Sequence, residues 1–219
     1  MAHHFDQEIA ALKEKLVTMA SHAEAAVNRS IQALIDHDDE IAARAKEDDR
    51  IIDRFEIEID DMALKLLSRS PLASDLRLIT IAMKISHDLE RVGDEATTIC
   101  RRALELNQEP QLKPYVDIPH MAGIALQMLK EALDAFVTRD PARARAVIPR
   151  DKEVDSLNKQ LHRELASYMV EKPATISRCL NLMVISKSLE RIADHATNVA
   201  EEVVYLYEGR DIRHTGGMN

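Results

Sequence analysis

The phrase LERVGDEAT at residues 89–97 returns as LERIADHAT at residues 189–197, with six of the nine positions identical. The agreement extends upstream, where EDDRIID at 47–53 aligns with PRDKEVD at 149–155. The offset is 102 residues there and 100 residues at the repeated phrase. Solenoid repeats are shorter, about 20–50 residues. The sequence therefore predicts one large structural unit that occurs twice.

The composition indicates that this unit is helical. The chain is 46% hydrophobic and 3% aromatic, and it has no Trp and only five Gly among 219 residues. Ala, Leu and charged residues in this proportion are typical of long helices. Breaks rich in Asp, Ser and Pro predict helices at 6–36, 40–68, 73–107, 118–138, 141–171 and 174–208. The predicted fold class is all-α, a tandem repeat of two three-helix bundles with six long helices.

The predicted repeats occupy residues 1–108 and 118–208. Between them lies NQEPQLKPYVDIP at 107–119, whose three prolines are typical of a linker. Pro149 falls inside the fifth helix and predicts a kink or a restart there. Residues 209–219 form a polar, Gly-containing tail that we expect to fray.

Several protein classes are disfavoured by composition. The chain has no apolar run of about 18 residues, so we expect no membrane span. Residues 1–16 carry charge where a secretory signal needs an apolar run. Cys100 and Cys179 are isolated, which favours reduced thiols in a core and a cytoplasmic location. The net charge of −9 argues against binding to nucleic acid.

Carboxylates recur in pairs on the second and third helix of each repeat. On a helical wheel, the two members of each pair lie one turn apart at the border of the apolar face. Such pairs repel each other, whereas hard cations bind carboxylate oxygens, and facing helices can share such a cation. We therefore predict one metal cluster per repeat. The candidate metal ligands are Asp49, Asp53, Glu90 and Asp94 in the first repeat, and Asp151, Asp155, Glu190 and Asp194 in the second.

Two other interpretations of these carboxylates are open. They could be ordinary solvated helix faces, or they could form salt bridges with Arg91 and Arg191, which follow the Glu in both copies. His162 shares the stripe of the second set and is a candidate extra ligand, whereas His195 is predicted to point elsewhere. The remaining histidines, His87 among them, show no ligand spacing.

The repeated LERxxD phrases and the upstream D-x-x-x-D pairs, spread over nearly the whole chain, resemble the PhoU family of bacterial phosphate-specific transport accessory proteins. The resemblance implies that multinuclear clusters of divalent or iron cations bind at the four acidic motifs. It also implies a negative regulator of the phosphate-starvation response. The expected partners are the ATPase subunit of the phosphate ABC transporter, a sensor histidine kinase and a second copy of the chain.

Absent motifs favour a regulatory protein over an enzyme. The chain has no Gly-rich phosphate loop and no G-x-S-x-G elbow. It also lacks the Glu-x-x-His motif of di-iron oxidases. The alternative is a carboxylate-rich metalloprotein with metal-dependent phosphate binding or hydrolytic activity. A direct phosphate sensor is a third hypothesis, although the identified charged sites are acidic.

Overall fold

The computed structural model describes residues 2–69 and 71–212, and within these residues every regular element is a helix. Part of the predicted tail, residues 213–219, lies outside the described residues. The prediction of an all-α fold with six long helices is confirmed, and two short helices accompany them. The α-helices are α1 (Ala2–Asp36), α2 (Asp39–Ala43), α3 (Ala45–Leu67), α4 (Ala73–Asn107), α5 (Asp117–Thr138), α6 (Pro141–Val147), α7 (Asp151–Glu171) and α8 (Ile176–Glu208).

Both short helices arise where the sequence predicted one longer helix. The predicted helix 40–68 is divided at Arg44 into α2 and α3. The predicted helix 141–171 is interrupted by a 3-10 turn over Ile148–Arg150, because Pro149 cannot donate the hydrogen bond that a continuous helix needs. The Asp140 side chain caps α6 by accepting a hydrogen bond from the backbone N–H of Arg143 at 3.0 Å.

The two repeats pack against each other through α4 and α8, which lie side by side at the centre of the molecule. Helices α1 and α3 flank α4, and α5 and α7 flank α8. The apolar positions of both repeated phrases, such as Leu89 and Leu189, are fully buried in one continuous core. The phrase thus occurs twice because each copy supplies one central helix.

The described helices bear on two expectations from composition. None of them is both long and apolar enough to cross a membrane. Cys100 and Cys179 are free and buried, as predicted for core residues. Burial raises the pKa of the Cys100 thiol to about 12, so this thiol is protonated and unreactive at neutral pH.

Helices α3 and α4 approach each other closely at Gly93. A Cβ atom at this position would lie 2.9 Å from Cδ1 of Ile52, closer than carbon atoms pack. The aligned residues of the second repeat are Val154 and Ala193, which are both fully buried. The first repeat therefore carries the extra methyl group on α3, as part of Ile52. The second repeat carries it on α8, as the Cβ atom of Ala193.

This exchange predicts coupling between the two positions. We expect Gly93→Ala to lower the free energy of unfolding by about 1 kcal/mol, because an overpacking cost of about 1–3 kcal/mol exceeds a helix-propensity gain of about 1 kcal/mol. Ile52→Val removes the methyl group in conflict. The double variant should be more stable than the sum of the single changes by about 0.5–1 kcal/mol in urea unfolding. Additive effects would contradict the close packing.

Candidate metal centres

Four carboxylates of the first repeat form one electrostatic cluster, which we call the first quartet: Asp49 and Asp53 on α3, and Glu90 and Asp94 on α4. Burial raises the pKa of Asp49, and the charges of Asp53 and Asp94 raise it further. A hydrogen bond with Thr97 acts in the opposite direction. Burial and then Asp94 also raise the pKa of Glu90. The two helices therefore bring the predicted residues into mutual repulsion.

The second quartet consists of Asp151 and Asp155 on α7, and Glu190 and Asp194 on α8. Burial, Asp155 and Glu190 raise the pKa of Asp151. Burial and then the charges of Glu190 and Asp151 raise the pKa of Asp194 to about 6. Lys187 lowers both pKa values without overcoming the repulsion. The second repeat therefore concentrates negative charge at the position equivalent to the first quartet.

Each quartet contains a buried carboxylate oxygen without a hydrogen bond. These atoms are Oε2 of Glu90 in the first quartet, and Oδ1 of Asp151 and Oε2 of Glu190 in the second, where Oε2 of Glu190 is ion-paired with Lys187. A buried charged oxygen without a donor is costly, and a bound cation would remove that cost. Carboxylate oxygens suit hard ions such as Mg²⁺, Ca²⁺ and Mn²⁺. The donor chemistry of both quartets therefore suits a divalent or iron cation, but no three ligand atoms within either quartet lie within 4.8 Å of one another, so the side chains would have to move to hold one ion.

Basic side chains partly neutralise the quartets, and they differ between the repeats. Arg91 contacts both α4 carboxylates of the first quartet, at 3.1 and 3.5 Å, so the salt-bridge alternative is realised there. Arg191 instead reaches Glu95 of the first repeat, with 3.1 Å between nitrogen and oxygen. The ion-pair partner of Glu190 is Lys187 rather than Arg191. Pairs as exposed as Arg91 contribute at most about 1 kcal/mol.

Two histidines singled out by the sequence do not contact the quartets. His162, a predicted extra ligand, places Nε2 3.1 Å from Oγ of Ser186 and 3.3 Å from the carbonyl oxygen of Met183. These contacts leave its ring outside the second set of carboxylates. His195 points away from the quartet, as the helical wheel predicted, and its Nδ1 lies 2.9 Å from Oδ1 of Asp88 in the other repeat.

His87, which the sequence did not indicate as a ligand, lies beside the first quartet. Nδ1 of His87 is 3.2 Å from Oε1 of Glu56 and 4.0 Å from Oε2 of Glu90. Among the described residues, this is the one group of three or more His, Cys, Asp or Glu whose ligand atoms all lie within 4.8 Å of one another. His87 and Glu90 are three residues apart, so the sequence could have placed them on the same side of one helix. Glu56 lies on the neighbouring helix α3, and its approach to them could not be read from the sequence.

Comparison with known proteins relates this geometry to a family. The family model described as PhoU domain matches residues 16–103 and again 118–203. A relative from Pseudomonas aeruginosa, named phosphate-specific transport system accessory protein PhoU homolog, is 42% identical and covers 99% of this chain and 92% of that protein. The Escherichia coli (strain K12) protein named phosphate-specific transport system accessory protein PhoU is 34% identical over 97% of this chain and 89% of that protein.

Solved structures agree with the sequence matches. The crystal structure of PhoU from Pseudomonas aeruginosa superposes with a TM-score of 0.91 and 42% identity, covering 94% of this chain and all of that chain. The phosphate transport system regulatory protein PhoU from Streptococcus pneumoniae gives a TM-score of 0.89 at 28% identity, covering 95% of this chain and 99% of that chain. With both repeats matched over most of their length, this chain belongs to the PhoU family.

Proposed function

We propose that this protein is an accessory protein of a phosphate transport system and represses the phosphate-starvation response. In this role it acts in the cytoplasm as a homodimer and couples the ATPase subunit of the phosphate ABC transporter to a sensor histidine kinase. It does so by binding both partners, without catalysis of its own. The observation that carries the proposal is the near full-length similarity to proteins named as phosphate-specific transport accessory proteins.

The charge of the chain suits transient contacts with such partners. A net charge of −9 on long helices offers charged outer faces, which favour rapid and specific association more than high affinity. Binding to the two partners should therefore weaken as the salt concentration rises. Nucleic acid is not an expected partner, because it carries the same sign of charge.

Cations at the quartets are part of this proposal. The first quartet would hold its metal through Asp49, Asp53, Glu90 and Asp94, and the second quartet through Asp151, Asp155, Glu190 and Asp194. The buried oxygens without hydrogen bonds on Glu90 and Asp151 support this assignment. A bound cation would remove the repulsion within each quartet and fix α3 against α4 and α7 against α8. Its proposed role is structural, because a regulator needs a defined surface rather than turnover.

The direct test of function is deletion of the gene in its host. We expect a phosphate-starvation reporter, normally silent in phosphate-replete medium, to become active. Expression of the wild-type protein should silence it again. A reporter that stays silent after deletion, with the transporter and the kinase intact, would contradict the regulatory role.

Enzyme activity has its own measurement. The purified protein, loaded with Mn²⁺ or Fe²⁺, should show no steady-state turnover of phosphate esters and no oxidase activity. Turnover that disappears in a quartet variant such as Asp194→Asn would favour the alternative, a hydrolytic or oxidative metalloprotein. Calorimetric titration with phosphate, with and without metal, distinguishes a direct phosphate sensor from both.

A further inference from the structure

We propose that Glu56, His87 and Glu90 form a binding site for one divalent transition-metal ion, such as Zn²⁺ or Co²⁺, which shares Glu90 with the first quartet and adds a nitrogen ligand. Glu56 lies on α3, and His87 and Glu90 lie one turn apart on α4. One ligand atom from each residue lies within 4.8 Å of the other two. The proposal rests on this geometry and does not depend on the regulatory function.

The position of Glu90, which also belongs to the first quartet, supplies a second reason for a cation here. Its Oε2 atom is buried without a hydrogen bond, although Nδ1 of His87 lies only 4.0 Å away. The nearest cation is the guanidinium of Arg91, whose Nε lies 3.5 Å from that oxygen. Arg91 is half exposed and can turn into solvent when a metal ion binds. An ion between the three side chains would therefore satisfy Oε2 directly.

The donor set selects the class of metal. One imidazole nitrogen and two carboxylate oxygens suit Zn²⁺ and its neighbours in the first transition row, whereas all-carboxylate sites suit harder ions. Ligand atoms around such an ion lie about 3–3.5 Å apart, given metal–ligand distances of about 2.0–2.2 Å. The distance from Nδ1 of His87 to Oε1 of Glu56 is already 3.2 Å. Small side-chain rotations at His87 and Glu90 would complete the site.

The second repeat has different side chains at the positions equivalent to Glu56 and His87. Asn158 aligns with Glu56, and Lys187 aligns with His87. The ammonium group of Lys187 is ion-paired with Glu190, which aligns with Glu90. The second repeat thus has the ammonium group of Lys187 where the first repeat has the imidazole of His87, and it lacks the carboxylate of Glu56. The proposed site is therefore specific to the first repeat.

An ion can reach the site from solvent. Glu56 and His87 line a cavity of about 550 Å³ between the first repeat and α8, together with the acidic residues Asp60, Asp88 and Glu201. A cleft lined mostly by one sign of charge raises the local concentration of the opposite ion. Three protein ligands leave a coordination position open on the cavity side, which water can fill.

The test is a Co²⁺ titration of the chelator-treated full-length protein, followed by visible absorption and by the imidazole NMR signals. We expect one Co²⁺ per chain to bind with nitrogen ligation and to shift the His87 signals. The variant His87→Lys copies the second repeat and should weaken this binding about tenfold or more, as should Glu56→Gln. Zn²⁺ should displace the bound Co²⁺.

Two variants serve as controls. His120→Lys makes the same change at an exposed histidine on α5 and should leave Co²⁺ binding unchanged. Asp53→Asn removes a first-quartet carboxylate and should retain the nitrogen-ligated Co²⁺ signal while Mn²⁺ binding weakens. Thermal unfolding checks that each variant is folded. Equal Co²⁺ affinity and equal imidazole shifts in wild type and His87→Lys would overturn the proposal, as would loss of the signal in Asp53→Asn.

Discussion

Asp194→Asn should stabilise the metal-free protein and weaken its binding of Mn²⁺, two effects of opposite sign from one substitution. The pKa of Asp194 is raised to about 6 by burial, Glu190 and Asp151, so its negative charge is unfavourable in the folded protein. The amide removes this charge and raises Tm in the presence of chelator. It also removes a carboxylate ligand, so Mn²⁺ affinity should fall about 10- to 100-fold.

The effect of Asp194→Asn on Tm should depend on pH in a definite direction. Asp194 has an ordinary pKa of 3.8 in the unfolded chain, so the folded protein binds its proton more tightly. Its protonation stabilises the folded state fully below about pH 4, and this contribution is lost as pH rises through about 6. The gain in Tm for Asp194→Asn over wild type should therefore be largest above pH 6 and shrink steadily between pH 6 and pH 4.

A matched control for charge is available on α7. Glu153→Gln removes one negative charge from an exposed residue outside the quartet. It should change neither the Mn²⁺ affinity nor the pH profile of Tm. If Asp194→Asn and Glu153→Gln behave alike in both measurements, the second quartet is an ordinary solvated helix face.

Phe136→Ala should lower the free energy of unfolding by about 3–5 kcal/mol, a large share of the total of about 5–15 kcal/mol for a typical domain. Phe136 is fully buried on α5. Nζ of Lys13 on α1 lies 5.7 Å from the centroid of its ring, and its carbonyl oxygen accepts a hydrogen bond from Tyr207 at 2.9 Å. Phe136 therefore joins helices of both repeats, and its loss leaves a cavity in their common core.

The number of transitions in urea unfolding tests whether the two repeats unfold together. Because the two repeats share one core, wild type and Phe136→Ala should each unfold in a single transition, shifted to lower urea concentration in the variant. The neighbouring change Val137→Ala, at a half-exposed side chain, should shift the transition by less than about 1 kcal/mol. Two transitions, of which Phe136→Ala moves only one, would show that the repeats unfold separately.

The helices and the carboxylate pairs were predictable because they depend on residues close together in the chain. Helix α4 spans 73–107 as predicted, and Pro149 restarts the fifth predicted helix. An i,i+4 pair such as Glu190 and Asp194 lies on one side of any helix that contains it. The repeat could also be recognised from the sequence, and it predicted two matching acidic clusters.

Contacts between helices were decided only by the tertiary structure. The contact of His195 with Asp88 crosses from α8 to α4, and so does that of Arg191 with Glu95. The contact of Glu56 with His87 likewise joins two helices, α3 and α4. A side chain's own helix fixes its direction around the helix axis, but not which neighbouring helix it faces. That choice follows from burial of the apolar faces of α4 and α8 against each other, which adds up over the whole core and has no local sequence pattern.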